Sequence, residues 1–139
     1  MPIILIDVNI EGQAARLWGR MQRPEWREFT AGLDVVFRRF RDVGLDESTP
    51  DDVVWRFCQR NGFYLLTSNR NEEGEDSLEA TLRREGTPDS VPVLTLPLPD
   101  RVYDNPDLVD RVVDKRLDYI MFPERTRGAG RLFLTTPAI

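Results

Sequence analysis

The chain opens on Ile3-Ile4-Leu5-Ile6, consecutive β-favouring or large apolar residues that end on a carboxylate, Asp7. Such a run reads as a strand buried on both faces, the kind found at the centre of a parallel sheet. Asp7 stands where the chain should leave the sheet and turn into a helix. In open α/β sheets the crevice outside the carboxyl ends of the strands is where ligands bind. The first strand therefore sets both the architecture and the first candidate site residue.

The rest of the chain alternates helical and extended patterns. Gln13 to Met21 carries a helical apolar stripe, with Asn9 able to cap its start and Glu11 suited to the positive end of the helix dipole. Gln22 to Ala31 is polar, with Trp26 and Phe29 expected to pin the connection to the body. Leu33 to Phe40 reads as a second strand, and Asp42 to Thr49 as a loop. Thr49-Pro50-Asp51-Asp52 is a helix start: Thr49 caps, Pro50 fits the first helical position and two acids occupy the first turn. That helix ends at Asn61-Gly62, and Phe63 to Thr67 is the third strand.

A dense polar loop, Ser68 to Asp76, leaves the third strand, and Ser77 begins a short helix through Arg84. Val91 to Leu96 is a fourth strand, Pro106 to Met121 the last helix, and Arg131 to Thr135 a final short strand. Strands alternating with helices imply a parallel sheet with helices on both faces. With no repeat or linker interrupting the pattern, residues 1–139 read as one α/β domain: three layers, with a mostly parallel five-stranded sheet.

Composition narrows the chemistry. The chain has no His, so it cannot itself supply a Ser-His-Asp triad, a His-ligated zinc or a His general base. The single Cys58 can form no internal disulfide and lies in a helical apolar pattern, where it reads as a packed core thiol. The formal net charge of −5 argues against a wholly basic nucleic-acid-binding surface but leaves room for a local patch, since net charge and local field differ. No apolar run reaches membrane-spanning length and no leader pattern opens the chain, so the expected compartment is the cytoplasm.

Asp7 and the Ser68-to-Asp76 loop both lie at strand carboxyl ends, hence on one edge of the sheet. The helix opened by Asp51 leads into the third strand, and if it runs antiparallel to the strands its N-terminus reaches that edge too. Dipole stabilisation alone would also account for Asp51 and Asp52, at about 0.3–1 kcal/mol each. The spacing nonetheless gathers Asp7, Asp51 and the loop acids into one place. The sequence thus expects Asp7 and Asp51 to face each other across one acidic pocket. Trp18, Trp55 and Phe57, at helical spacing with other apolar residues, are expected in the core and not on a base-stacking platform.

The order of these motifs resembles the PIN-like nuclease superfamily, in its compact branch that includes VapC-like toxins. The residues that carry the likeness are Leu5-Ile6-Asp7-Val8-Asn9, then Asp51-Asp52-Val53-Val54, then Leu65-Leu66-Thr67-Ser68-Asn69-Arg70-Asn71, within roughly residues 3 to 96. The resemblance implies carboxylates holding one or two Mg²⁺ or Mn²⁺ ions that activate water against an RNA phosphodiester. Hard divalent ions prefer oxygen ligands, and such an ion does the work of the missing histidine. The implied catalytic residues are Asp7, Asp51 and Asp76. The implied metal ligands are those three with Asn69 and Asn71, and Asn9 and Arg70 are the implied substrate contacts. The third loop departs from the pattern, having Asn69 and Asn71 where the family has aspartates; Glu72, Glu73, Glu75 and Asp76 could supply charge from the same loop.

The leading expectation is a metal-dependent ribonuclease, a toxin or RNA-processing component. The alternative is a non-catalytic module of the same fold that binds RNA or a protein such as an antitoxin through Arg70, Arg125, Arg127 and Arg131. Neither reading involves a membrane, and both leave room for a homodimer. A phosphate-handling enzyme of another α/β family is weaker, because no glycine-rich loop follows the first strand. The Ile6-to-Gln13 opening also looks like that of sequences labelled acyl-carrier-protein malonyltransferases. The chain, however, has no Gly-x-Ser-x-Gly elbow and no His to activate a serine.

Overall fold

The apolar opening does form a central strand, β1 (Ile3–Ile6), in the computed structural model, which describes residues 3–23, 36–68, 77–96, 127–128 and 130–133. A 3₁₀ turn, Val8–Ile10, leads from it into α1 (Glu11–Met21). Next come β2 (Val36–Arg39), a second 3₁₀ turn (Phe40–Val43), and α2 (Asp51–Asn61). The described chain continues through β3 (Tyr64–Thr67), α3 (Leu78–Glu85), β4 (Val93–Thr95) and β5 (Arg131–Phe133). The strands make one sheet in the order β2-β1-β3-β4-β5, and every pair is parallel. The expected α/β domain with a five-stranded sheet is therefore what the chain forms.

Strand side chains alternate between faces, which splits the core in two. Ile4 and Ile6 point to one face, where they pack with Ile10, Ala14, Leu17 and Met21 and with Tyr64, Leu66 and Leu94. Leu5 points to the other, where Leu65 and Val93 meet Val54, Trp55 and Cys58 of α2 and Leu78 of α3. Helix α1 thus covers one face, and α2 and α3 cover the other. The Cys58 thiol is buried, and burial pushes its pKa up to about 12, as expected of a packed thiol that does no chemistry.

Trp18 departs from expectation. Trp55 is buried and Phe57 packs edge-on against Phe63, with ring centroids 5.8 Å apart. Trp18 is 38% exposed, and its ring leans on Phe37 of the edge strand at 5.2 Å. The buried stripe of α1 is Gln13, Ala14, Leu17 and Met21. Trp18 follows Leu17 by one residue, about 100° further round the helix, so it falls on the flank of that stripe.

The helix starts also differ. Asn9 lies inside the 3₁₀ turn and does not cap α1. Pro50, not Thr49, precedes the first helical residue of α2, and the Thr49 hydroxyl donates to the Asp46 carbonyl at 2.6 Å. The helix expected to begin at Ser77 starts at Leu78, with Ser77 capping it: its hydroxyl oxygen accepts the Ala80 N–H at 3.2 Å. The expected Pro106-to-Met121 helix, the start of the second strand at 33–35 and the end of the last strand at 134–135 fall outside the described residues, as do Trp26 and Phe29.

Helix α2 stops at Gly62, whose φ of 69° is left-handed. Its geometry lets the Phe63 N–H donate to the Cys58 carbonyl at 2.9 Å and aims the chain into β3. A Cβ at Gly62 would meet no atom within 4 Å, so its cost is conformational alone. Gly62→Ala should destabilise the protein by about 1–2 kcal/mol. Gly19, exposed within α1 and equally uncrowded, should give the opposite sign: Gly19→Ala should add about 0.4–1 kcal/mol. Urea unfolding of the two variants against the parent checks both signs.

Candidate functional site

The strand order contains one reversal. From β1 the chain crosses to β2 on one side, then returns past β1 to place β3 on its other side. Parallel α/β sheets form a crevice at such a switch point, because the connections on either side leave in opposite directions. Here the crevice lies outside the carboxyl ends of β1 and β3. The residues that follow the last β1–β3 pair, Ile6 with Leu66, are Asp7 and Thr67.

Asp7 is held by both its backbone and its side chain. Its N–H extends the ladder by donating to the Leu66 carbonyl at 3.0 Å, and its carbonyl accepts from the Ile10 N–H at 3.1 Å. The 3₁₀ turn begun this way carries the chain off the sheet. Across the crevice the fully buried Thr67 hydroxyl donates to Asp7 Oδ2 at 2.6 Å. A hydrogen bond of that length to an ionised acceptor is charge-assisted, and it fixes the carboxylate plane. Asp7 itself is half-buried, and among the described residues no side chain engages its other oxygen, Oδ1.

Asp51 reaches the same edge by topology. The chain leaves the carboxyl end of β2, passes the second 3₁₀ turn and starts α2; that helix ends shortly before β3 begins. Its N-terminus therefore returns to the carboxyl edge, on the sheet face opposite α1. Asp51 is half-buried there, and it has an interaction of its own. Its neighbour Asp52 is committed elsewhere: it pairs with Arg56 at 3.2 Å, and Arg56 grips Glu85 of α3 at 2.7 Å. The two acids of this first turn thus separate into one that braces α2 against α3 and one left as a site candidate.

Other anticipated residues are placed less favourably. Asn9 is exposed in the 3₁₀ turn directly after Asp7 and Val8, beside the crevice. Arg131 is not a surface contact: its side chain is 8% exposed, with Nη2 on Glu79 at 2.5 Å and Nη1 donating to Thr95 at 2.9 Å. Arg127 donates to the Asp89 carbonyl from an exposed turn. Asn69, Arg70, Asn71, Asp76 and Arg125 lie outside the described residues. Among the described residues no group of three His, Cys, Asp or Glu side chains is arranged to hold a metal ion.

Thr67, quoted in the third motif but given no role there, is the residue whose side chain meets Asp7. Its signal is nonetheless present: a Thr closing an apolar strand, alongside the Asp that follows β1. No family model, curated protein or solved structure matches the chain.

Two tests follow from these contacts. Removing the Thr67 donor while keeping its shape, Thr67→Val, should destabilise the protein by about 1.5 kcal/mol, near the low end for hydrogen bonds to charged groups. A double-mutant cycle with Asp7→Ala should assign most of that loss to the pair. The second test concerns Glu85, whose carboxyl the Arg56 hydrogen bond holds below its ordinary 4.5. Since its folded value is depressed, its contribution is present above about pH 4.5 and is lost as pH falls through the folded value. Glu85→Gln should therefore flatten the acid limb of a stability–pH profile measured by urea unfolding from about pH 6 to about pH 3.

Proposed function

We propose that the chain is a metal-dependent ribonuclease of PIN-like type, with Asp7 as its central carboxylate. The single observation carrying this reading is the Asp7–Thr67 pair at the β1/β3 switch point, where the crevice of such a sheet takes its ligand. A half-exposed carboxylate with one oxygen tethered and the other open suits one monodentate bond to a hard cation. The donor set favours Mg²⁺ or Mn²⁺ over ions that want an all-protein cage. Mg²⁺ in particular keeps several waters and is held by one or two carboxylates plus substrate phosphates. Asp7 and Asp51 would be those carboxylates, with the loop that follows Thr67 completing the set.

An ion bound there would supply an activated water and neutralise charge building on the phosphodiester. The protein's own share is orientation. The Asp7 backbone is pinned by Leu66 and Ile10, and its carboxylate by Thr67, so the open oxygen needs little reorganisation to meet a ligand. Asn9, exposed in the turn that follows Asp7, would donate to a phosphate oxygen of bound RNA.

The test uses thermal melts of the whole chain with chelator and with millimolar Mn²⁺, alongside a single-stranded RNA cleavage assay. At ten times its dissociation constant an ion adds about 1.4 kcal/mol, or about 5 °C in Tm for a chain of this size. Wild type should show that gain and cleave RNA. Asp7→Asn should lose the cleavage and most of the gain, and Asp51→Asn should do the same if it shares the ion. A wild type that melts identically with and without metal and leaves RNA intact rejects the nuclease and leaves a binding module of the same fold.

A further inference from the structure

A second recess opens between α1 and the edge strand β2. It encloses about 360 Å³ and includes Ile6, the residue before Asp7, in its wall. Its other walls include Glu11 and Ala15 of α1, the Trp18–Phe37 aromatic pair, and Arg38 and Arg39 of β2. This volume lies at the small end for ligand pockets, enough for one flat group and not an extended one.

The chemistry of each wall restricts that group. Trp18, 38% exposed beside Phe37, offers an aromatic face that the core does not use. Glu11 is half-buried and has no hydrogen bond or ion pair with another described residue, so it is an acceptor waiting for donors. Arg38 is exposed and donates one nitrogen to the Phe37 carbonyl at 3.3 Å; its ladder partner is Leu5, so it belongs to the sheet face away from α1 and contributes only to the rim. Arg39, which also lines the recess, is occupied by Asp42 at 3.3 Å. The fitting ligand has a flat ring with adjacent N–H donors on its edge.

We propose that this recess binds the base of a nucleotide, guanine in preference to the others. The base stacks on Trp18 and the Glu11 carboxylate accepts from its N1–H and exocyclic N2–H, while the phosphate extends into solvent. Guanine alone presents two adjacent donors to the two carboxylate oxygens. Adenine and cytosine set a ring-nitrogen acceptor beside their amino group, and uracil flanks its single N–H with carbonyls; each would turn an acceptor toward Glu11. Base stacking on an aromatic side chain and bidentate edge recognition are each large enough to be measured singly. The inference deepens the RNA reading, giving it a base preference next to Asp7. It rests on that reading only for the polymer, because binding a mononucleotide requires no metal ion.

The experiment titrates the whole ¹⁵N-labelled chain, in chelator, with 5′-GMP, AMP, CMP and UMP, and follows the indole N–H signals by NMR. The Trp18 signal, assigned by its loss in Trp18→Phe, should shift on adding GMP. GMP should bind about tenfold tighter than the other three. Trp18→Ala should weaken GMP about tenfold, while Trp18→Phe keeps most of the affinity by retaining a ring. Glu11→Gln should abolish the preference for guanine and leave the other nucleotides unchanged. Absence of any GMP response at millimolar ligand overturns the proposal, as does equal affinity for the four nucleotides or binding that survives both Glu11→Gln and Trp18→Ala. A chain that binds GMP but melts independently of Mn²⁺ keeps this site and loses the nuclease; the reverse result keeps the nuclease and loses this site.

Discussion

Everything in the fold is fixed relative to one fully enclosed strand. β1 is hydrogen-bonded on both sides, to β2 and β3, and its Ile4, Leu5 and Ile6 side chains are buried on both faces. A strand enclosed this way has no polar surface along its length, so its first polar side chain can emerge only at an end. Asp7 is that side chain. The parallel ladder then decides what it meets, because β3 ends in register and its own terminal Thr67 stands directly alongside. A hydrogen bond between residues far apart in sequence is thus a consequence of strand register.

The same constraint allots the two sheet faces their different roles. Moving from β1 to β2 with α1 on one face, and from β2 back to β3 with α2 on the other, opens the crevice at the reversal. Helix α2 is braced against α3 by Arg56, which joins Asp52 to Glu85, so the N-terminal turn carrying Asp51 is tied to the body of the domain. Helix α1 meets the edge strand differently, through the tilted contact of the Trp18 and Phe37 rings, and the recess lies beside them.

The parallel sheet and most of its elements are legible in the sequence because their signals are local. An unbroken apolar run, a helical stripe ending in Asn-Gly, and a Ser before an apolar stripe each carry their meaning within a few residues. Strand order is not legible, since the direction of each crossover depends on how whole helices pack. Trp18 is misread for a related reason. Apolar periodicity says that a residue is near the stripe, but a step of one position turns it from the centre of that stripe to its edge. The Thr67 contact and the recess-lining role of Glu11 escape notice because each depends on a neighbour that is distant in sequence: Asp7 for Thr67, and Phe37 for the recess that Glu11 lines.

Asp7 itself stands out in the sequence alone, and the reason bears on how such sites arise. A carboxylate at the end of a buried strand sits against an apolar wall on one side and solvent on the other. Asp7 is half-buried there, and the fixed strand end gives its carboxylate a constant position. One buried hydroxyl is then sufficient to fix its orientation, and Thr67 supplies it at 2.6 Å without adding a competing charge. A basic partner in that place would have neutralised Asp7 and left no charge to attract a cation. Thr rather than Arg or Lys at position 67 therefore leaves the switch-point carboxylate hydrogen-bonded, and not ion-paired, to its neighbour on β3.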